Sequence, residues 1–322
     1  MSDRLGRRYR YLRVSVTDRC DFACEYCMPA GGEVEHDRRA ELLSFEEIVA
    51  TIGTFRSLGV QRVRFTGGEP FVRKDFVKLV AKVAAAFPEI ELALTTNASR
   101  LLPALPALRD AGLRSVNISI DSLDEARFAA ITRGGDLGAV RAAIEAACSM
   151  GFEVKLNVVP MRNVNEDDWR PLVDFAWRVG ATPRFIELMP LGEGARIADR
   201  RVRAAEVRAA LAIAGEGVSG GAARGPARYG RGSGGRVGFI APLSQGFCDG
   251  CNRIRINARG DLRACLADRA AVSLRDVLRH GGDARDLAWA ALWALGQKAD
   301  GHGFNVPGER EHEHVGMSLI GG

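Results

Sequence analysis

The sequence predicts an α/β fold, a partial (βα)6 barrel of the TIM type with a smaller C-terminal unit closing the barrel mouth. Three observations carry this. Up to about residue 210, short β-rich runs alternate six times with helical ones, the pattern of βα units on a parallel sheet. Each strand-like run is apolar for most of its length and polar at its C-terminal end, where barrels collect functional groups. After a stretch dense in Gly, Ala and Arg, a second module begins with its own strand-like run, VGFIAPL.

The strands in order are YLRVSV at 11–16, VRFT at 63–66, LALTT at 92–96, SVNISI at 115–120, EVKLNVV at 153–159 and RFIEL at 184–188. Between the first two, SFEEIVATIGTFRSLG has a serine N-cap, an acidic first turn and a terminal Gly, and so predicts a helix. Six units are too few for an eight-fold barrel, so the sheet is expected to be splayed. The expected organisation is a barrel over 1–214, a Gly-rich linker or loop over 215–236, and a C-terminal unit over 237–322 with two helical segments between about 273 and 298. The tail EREHEHVGMSLIGG ends too apolar for a purely solvated terminus, which leaves docking open, with His312 and His314 read as solvated.

Composition excludes several classes. A chain of 322 residues, 47% hydrophobic, can bury a full core. No apolar run approaches the roughly 18 residues of a membrane span, and the charged N-terminus does not read as a signal peptide, so a cytoplasmic protein with no membrane partner is expected. The net charge is +5, and Lys and Arg total 45, yet only Lys74, Lys78, Lys82, Lys155 and Lys298 are lysines. That bias reads as GC-rich coding, and no basic stripe interleaved with aromatics suggests a nucleic-acid partner. Lys155 stands apart because it interrupts an apolar strand; a ligand role and an edge-strand role are both open to it.

Six of the 7 cysteines form two trios, Cys20, Cys24 and Cys27, then Cys248, Cys251 and Cys265. A closed zinc site takes four protein ligands, whereas a 4Fe-4S cube on three thiolates keeps one iron free. In a reducing compartment such spacing favours metal over disulfides. Cys148, in the helical AAIEAACSMG, reads as a core residue. The first trio follows the first strand, and GGEP at 67–70 follows the second. The same rim then takes in Thr95, Thr96 and Asn97, Ser119 and Asp121, Asn157, and Glu187 and Met189.

These residues resemble the radical S-adenosylmethionine superfamily, whose signature is C-x3-C-x-aromatic-C followed by a GGEP strand in a partial barrel. With C-x2-C-x13-C in the second trio, CNRIR at 251–255, LTTN and a terminal Gly-Gly, the chain is similar to the GTP 3′,8-cyclase family of molybdenum cofactor biosynthesis. The resemblance implies two 4Fe-4S clusters, with S-adenosylmethionine on the open iron of the first and Tyr26, Gly68, Ser119 and Met189 as its contacts. It implies GTP as substrate, held by Arg13, Arg64, Thr95, Lys155, Arg184, Arg253, Ile254 and Arg255. It gives catalytic roles to Arg13, Arg64, Arg253 and Arg255, and to Gly321 and Gly322 of a tail reaching the site. The implied reaction abstracts hydrogen from ribose C3′ through a 5′-deoxyadenosyl radical and joins C3′ to guanine C8, giving (8S)-3′,8-cyclo-7,8-dihydroguanosine 5′-triphosphate. No protein acid-base pair is evident, as expected where positioning dominates.

The implied partners are an external one-electron reductant and a downstream cyclic pyranopterin monophosphate synthase, with a homodimer left open. One departure is TTNA after the third strand, where the family has TTNG. The competing readings are another two-cluster radical enzyme acting on peptide or RNA, a binding module with zinc on the C-terminal trio plus a histidine, and a basic RNA-binding protein.

Overall fold

The computed structural model describes residues 1–29, 35–217, 225–269, 271–304 and 316–320. Its sheet begins with β1 (Tyr11–Ser15), β2 (Arg62–Thr66), β3 (Glu91–Thr96), β4 (Ser115–Ser119), β5 (Glu153–Val158) and β6 (Thr182–Ile186), parallel neighbours in chain order. These are the six expected strands. Each is followed by helix that covers the outer face, and the first, Phe45–Ser57, starts at Ser44 through a capping box with Glu47 and runs out before Gly59 at φ +95°.

The later strands are β7 (Ala214–Gly217), β8 (Arg228–Arg231), β9 (Arg236–Ile240), β10 (Arg253–Ile256), β11 (Asp261–Arg263) and β12 (Val272–Ser273). They do not form a sheet of their own. β9 adds parallel to β6 and β10 adds parallel to β1, so the C-terminal region extends both edges of the first sheet. The antiparallel ribbons β9-β8-β7 and β10-β11-β12 then finish the two sides. Leu12, Val14, Val63, Leu94, Val116, Leu156, Phe185 and Ile254 are buried in one core with the helices.

The linker expected over 215–236 is corrected in part, because β8 lies within it and pairs with β9. Its glycines have a packing cause. A Cβ on Gly232, Gly234 or Gly235 would come within 2.6, 2.3 and 2.8 Å of the Trp177 indole, whose Nε1 donates to Arg236 O at 3.1 Å. Gly-richness here makes room for a ring. Residues 218–224, the tail histidines His312 and His314, and the pair Gly321 and Gly322 lie outside the described residues. Cys148 packs against the core, as expected. Among the described residues no helix is long and apolar enough to cross a membrane.

The N-terminal arm is fastened to the far end of the chain. Buried Asp3 accepts from Arg7 Nε at 2.5 Å and Tyr9 OH at 2.6 Å. Arg7 in turn donates to the carbonyls of Cys248, Ala299 and Asp300 at 3.3, 2.9 and 3.0 Å. Burial raises the Asp3 carboxyl, but the Tyr9 and Arg7 hydrogen bonds outweigh it and the group lies below its ordinary value of 3.8. A carboxyl depressed in the folded state adds stability above its unfolded pKa that is lost as pH falls through the folded one. Asp3→Asn is therefore expected to cost roughly 1–3 kcal/mol at pH 7 in urea unfolding. The gap to wild type should narrow on acidification below about pH 4; a gap independent of pH would refute the assignment.

Candidate active site

Both cysteine trios open on one cavity of about 330 Å³ that runs through the centre of the sheet's concave face. Topology puts them at opposite ends. The first trio follows the C-terminal end of β1, whereas Cys248 and Cys251 precede β10, which is parallel to β1. Cys265 follows β11, which runs back antiparallel to β10 and so returns to the same end. The C-terminal unit thus closes the end of the barrel opposite the first trio.

The first trio is held by backbone. Cys27 N and Met28 N both donate to Cys24 O, at 2.9 and 3.0 Å, curling the loop so that the three sulfurs face one space. Gly68 N donates to Thr17 O and Glu69 N to Arg19 O, at 2.9 and 2.8 Å, laying GGEP directly along the cysteine loop. A Cβ on Gly68 would stand 2.3 Å from Arg19 O and 2.9 Å from Cys20 N. Gly68 lines the cavity, but its missing side chain is demanded first by the protein's own backbone.

Glu69 is fully buried behind this loop and accepts from Thr96 Oγ1, Asn97 N and Phe71 N at 2.8, 2.7 and 3.2 Å. Burial moves its carboxyl up to about 7 against those hydrogen bonds. It braces the rim. Asn97, in the LTTN turn, points Nδ2 at Cys20 Sγ, 3.7 Å away. The TTNA departure leaves Ala98 at φ +66°, with its N–H on Thr96 Oγ1 at 2.9 Å. Tyr26 donates to Asp121 at 2.7 Å, and Asp121 also accepts from Val159 N at 2.7 Å, tying the cysteine loop to the ends of β4 and β5. Ser119 and Met189 complete that end of the cavity.

Between the two ends lies a band of cations. Arg255, Arg13 and Arg64 are direct partners in register across β10, β1 and β2. Arg253, Lys155 and Arg184 also line the cavity. Arg184 donates Nε and Nη2 to Asn157 Oδ1 at 3.1 and 2.5 Å, and a Cβ on its partner Gly238 would meet its Cγ at 2.8 Å. Lys155 reaches Glu153 at 2.7 Å, and Arg64 bonds Tyr11 OH, Leu94 O and, at 3.4 Å, Thr95 Oγ1.

Like charges opposite one another on a sheet repel, and burial adds to the cost. Burial and then Arg255 press Arg13 well below its ordinary value; burial and Arg253 bring Arg255 to about 10. Lys155 and Arg184 are lowered, chiefly by burial. Tyr11 reports the same field from the other sign: despite burial, Arg64, Arg13 and Arg62 bring its phenol down to about 8.

The second trio differs electrostatically from the first. Burial raises Cys20 to about 12 and lifts Cys24 well above its ordinary value too, with neighbouring anions adding to it. Burial also raises Cys251, but Arg253 and Lys298 overcome it and bring the thiol to about 6. The histidine on this cavity wall, His302, accepts from Phe304 N at its Nδ1 at 3.0 Å and stacks on the Phe304 ring. Among the described residues no three His, Cys, Asp or Glu side chains gather closely enough for a single metal ion. All six cysteines line the cavity, and none of the six is in a disulfide.

Residues 14–176 match the radical SAM superfamily, and residues 181–304 match Molybdenum Cofactor Synthesis C. The chain belongs to the radical SAM superfamily. Within it, the chain is 41% identical to a GTP 3′,8-cyclase of Rhodopseudomonas palustris strain TIE-1, over 100% of this chain and 96% of that one. It is 40% identical to the GTP 3′,8-cyclase of Caulobacter vibrioides, over 99% and 93%, and to that of Pelotomaculum thermopropionicum, over 100% of both. Among solved structures, Streptococcus suis SuiB bound to S-adenosylmethionine shares the fold, with a TM-score of 0.64 at 16% identity over 87% of this chain and 68% of that one.

For this radical SAM chain, the structure brings together on one cavity all of the expected site residues among those described except Ile254. Arg253 and Arg255 face the cavity, so the Ile254 side chain between them points the other way and is buried in the core. Sequence reasoning missed Tyr11, Asn117 and Lys298. Tyr11 and Asn117 carried no signal beyond strand position. Lys298 did carry one, as another rare lysine in an arginine-rich chain, the signal that singled out Lys155.

Gly68→Ala is expected to displace the first cysteine loop. After anaerobic reconstitution, iron and sulfide should fall to the content of one cluster while the second trio stays loaded; full loading would refute the backbone argument.

Proposed function

We propose that this chain is a GTP 3′,8-cyclase, the enzyme that opens molybdenum cofactor biosynthesis, and that the arginine row on β10, β1 and β2 is where it holds the substrate triphosphate. The row supports this because three arginines in direct register repel one another, and a bound polyanion would relieve that repulsion. The donor sets fit the implied groups: two trios of thiols outside any disulfide, each short of the four ligands of a closed site. With a 4Fe-4S cluster on each trio and S-adenosylmethionine on the first, the bound groups supply one-electron chemistry that removes hydrogen from the ribose.

The protein's own residues do the positioning. Gly68, Tyr26, Ser119 and Met189 line the end where S-adenosylmethionine would sit. Arg13 lies two residues before the end of β1 at Ser15, about 7 Å deeper, so phosphates held there would lie below the reacting sugar. Lys155, Arg184 and Thr95 extend the cationic wall across the sheet, and Arg253 stands beside the second trio, its guanidinium 5.0 Å from the Phe247 ring centre. The nucleotide would then span the cavity with its base toward Cys248, Cys251 and Cys265. Ring closure needs no leaving group and no protein nucleophile, only a held geometry and a sheltered space. An external reductant, a cytoplasmic location, a downstream cyclic pyranopterin monophosphate synthase and a homodimer belong to the same proposal. So does a part for Ile254 through its backbone and for Gly321 and Gly322 through the tail.

The reading is tested by anaerobic incubation with GTP, S-adenosylmethionine and dithionite, scored for 5′-deoxyadenosine and a cyclised nucleotide. Cys24→Ala should abolish both products. If 5′-deoxyadenosine formed with a peptide or RNA and not with GTP, the reading would be wrong. Arg255→Met should keep both clusters and weaken GTP binding at least tenfold, about 1.4 kcal/mol. Guanosine binding should be unchanged, and an equal loss for guanosine would remove the row from the triphosphate.

A further inference from the structure

Lys298 lies behind the second trio and does not line the cavity, so it cannot reach a substrate there. Its side chain ends among three acceptors, Ala264 O at 2.6 Å, Cys251 Sγ at 3.3 Å and Arg253 O at 3.4 Å, which match the three donors of an ammonium. The nitrogen also stands 4.6 Å from the centre of the Tyr9 ring. Lys298 is 2% exposed, and neither oxygen partner is a carboxylate. A buried ammonium is costly unless an anion compensates it, and the acidic group among these partners is the Cys251 thiol.

The surrounding chain holds it in place. Arg7 grips Ala299 O and Asp300 O at 2.9 and 3.0 Å and Cys248 O at 3.3 Å. One arginine therefore locks the lysine's own segment to the loop that supplies the trio's first cysteine. Ala264 directly precedes Cys265, so the ammonium also joins the segments of the other two.

We propose that Lys298 is a positioning residue that sets the electronic state of the second cluster, donating a charge-assisted N–H···S hydrogen bond to Cys251 and raising the cluster's reduction potential. This rests on the reading that Cys248, Cys251 and Cys265 hold a 4Fe-4S cluster. Reduction adds negative charge to a cluster, and a fixed cation on one of its sulfurs stabilises the reduced form over the oxidised one. At the first trio a neutral amide donor points at a cysteine sulfur, Asn97 Nδ2 at 3.7 Å from Cys20 Sγ.

The test is an anaerobic redox titration followed by electron paramagnetic resonance. It uses the full chain carrying Cys20, Cys24 and Cys27→Ala, where the signal belongs to the second cluster. Lys298→Met is expected to lower the midpoint potential by about 59 mV, a tenfold change in the one-electron equilibrium. Lys298→Arg, which keeps the charge, should stay close to the parent. If Met prevents cluster assembly, Lys298→Gln is measured in its place with the same expected direction. An unchanged potential in the neutral variant, or an equal shift in the Arg variant, would overturn the proposal. Retention of the iron signal after adding Cys248→Ala would instead locate the failure in the cluster reading itself.

Discussion

Three arginines side by side on adjacent strands are the constraint around which this barrel is organised. Coulomb repulsion between direct cross-strand neighbours would ordinarily exclude Arg255, Arg13 and Arg64 from one row, the more so where water is scarce. The fold tolerates them because hydrogen bonds brace part of the band, as Tyr11 and Thr95 do for Arg64 and Asn157 does for Arg184. The row still concentrates positive charge on one wall of the cavity. A polyphosphate entering it relieves repulsion as well as forming contacts, so the charge that weakens the empty protein strengthens the complex.

The placement of the two trios follows from the same strands. β10 carries one arginine of the row and is parallel to β1, so residues before it and residues after β1 necessarily lie at opposite ends. On the proposed reading, a nucleotide held by its phosphates at mid-strand would be presented to one trio at each end. No hinge or long loop is needed to arrange this. The geometry is a product of sheet register, which is among the most rigid features a protein has.

The barrel strands were legible because hydrophobic runs ending in polar residues are a local signal, and β1 through β6 fall within one or two residues of where the sequence puts them. The cysteines and GGEP were legible through spacing. The destination of the C-terminal strands was not: VGFIAPL and NRIRI announce strands, but nothing local says that β9 and β10 join opposite edges of an earlier sheet. Gly68 was read for the ligand it faces, and its closest neighbour proved to be Arg19 O. The glycines near 232–235 looked like slack, yet they cradle Trp177, a partner more than fifty residues away in the chain. Such causes are tertiary contacts, invisible to composition.

The clasp of Asp3, Arg7 and Tyr9 also bears on the order in which the molecule comes together. Arg7 precedes its partners at Cys248, Ala299 and Asp300 by 241, 292 and 293 residues. β1 can pair with β2 early, whereas its other edge waits for β10. The first trio's loop takes partners as far along as Arg200, whereas the second trio's segments are joined to Arg7 and Lys298 and so close longer loops. The second trio's surroundings therefore form through contacts of high sequence separation, and until β10 docks the edge of β1 is an unpaired strand edge open to wrong pairing.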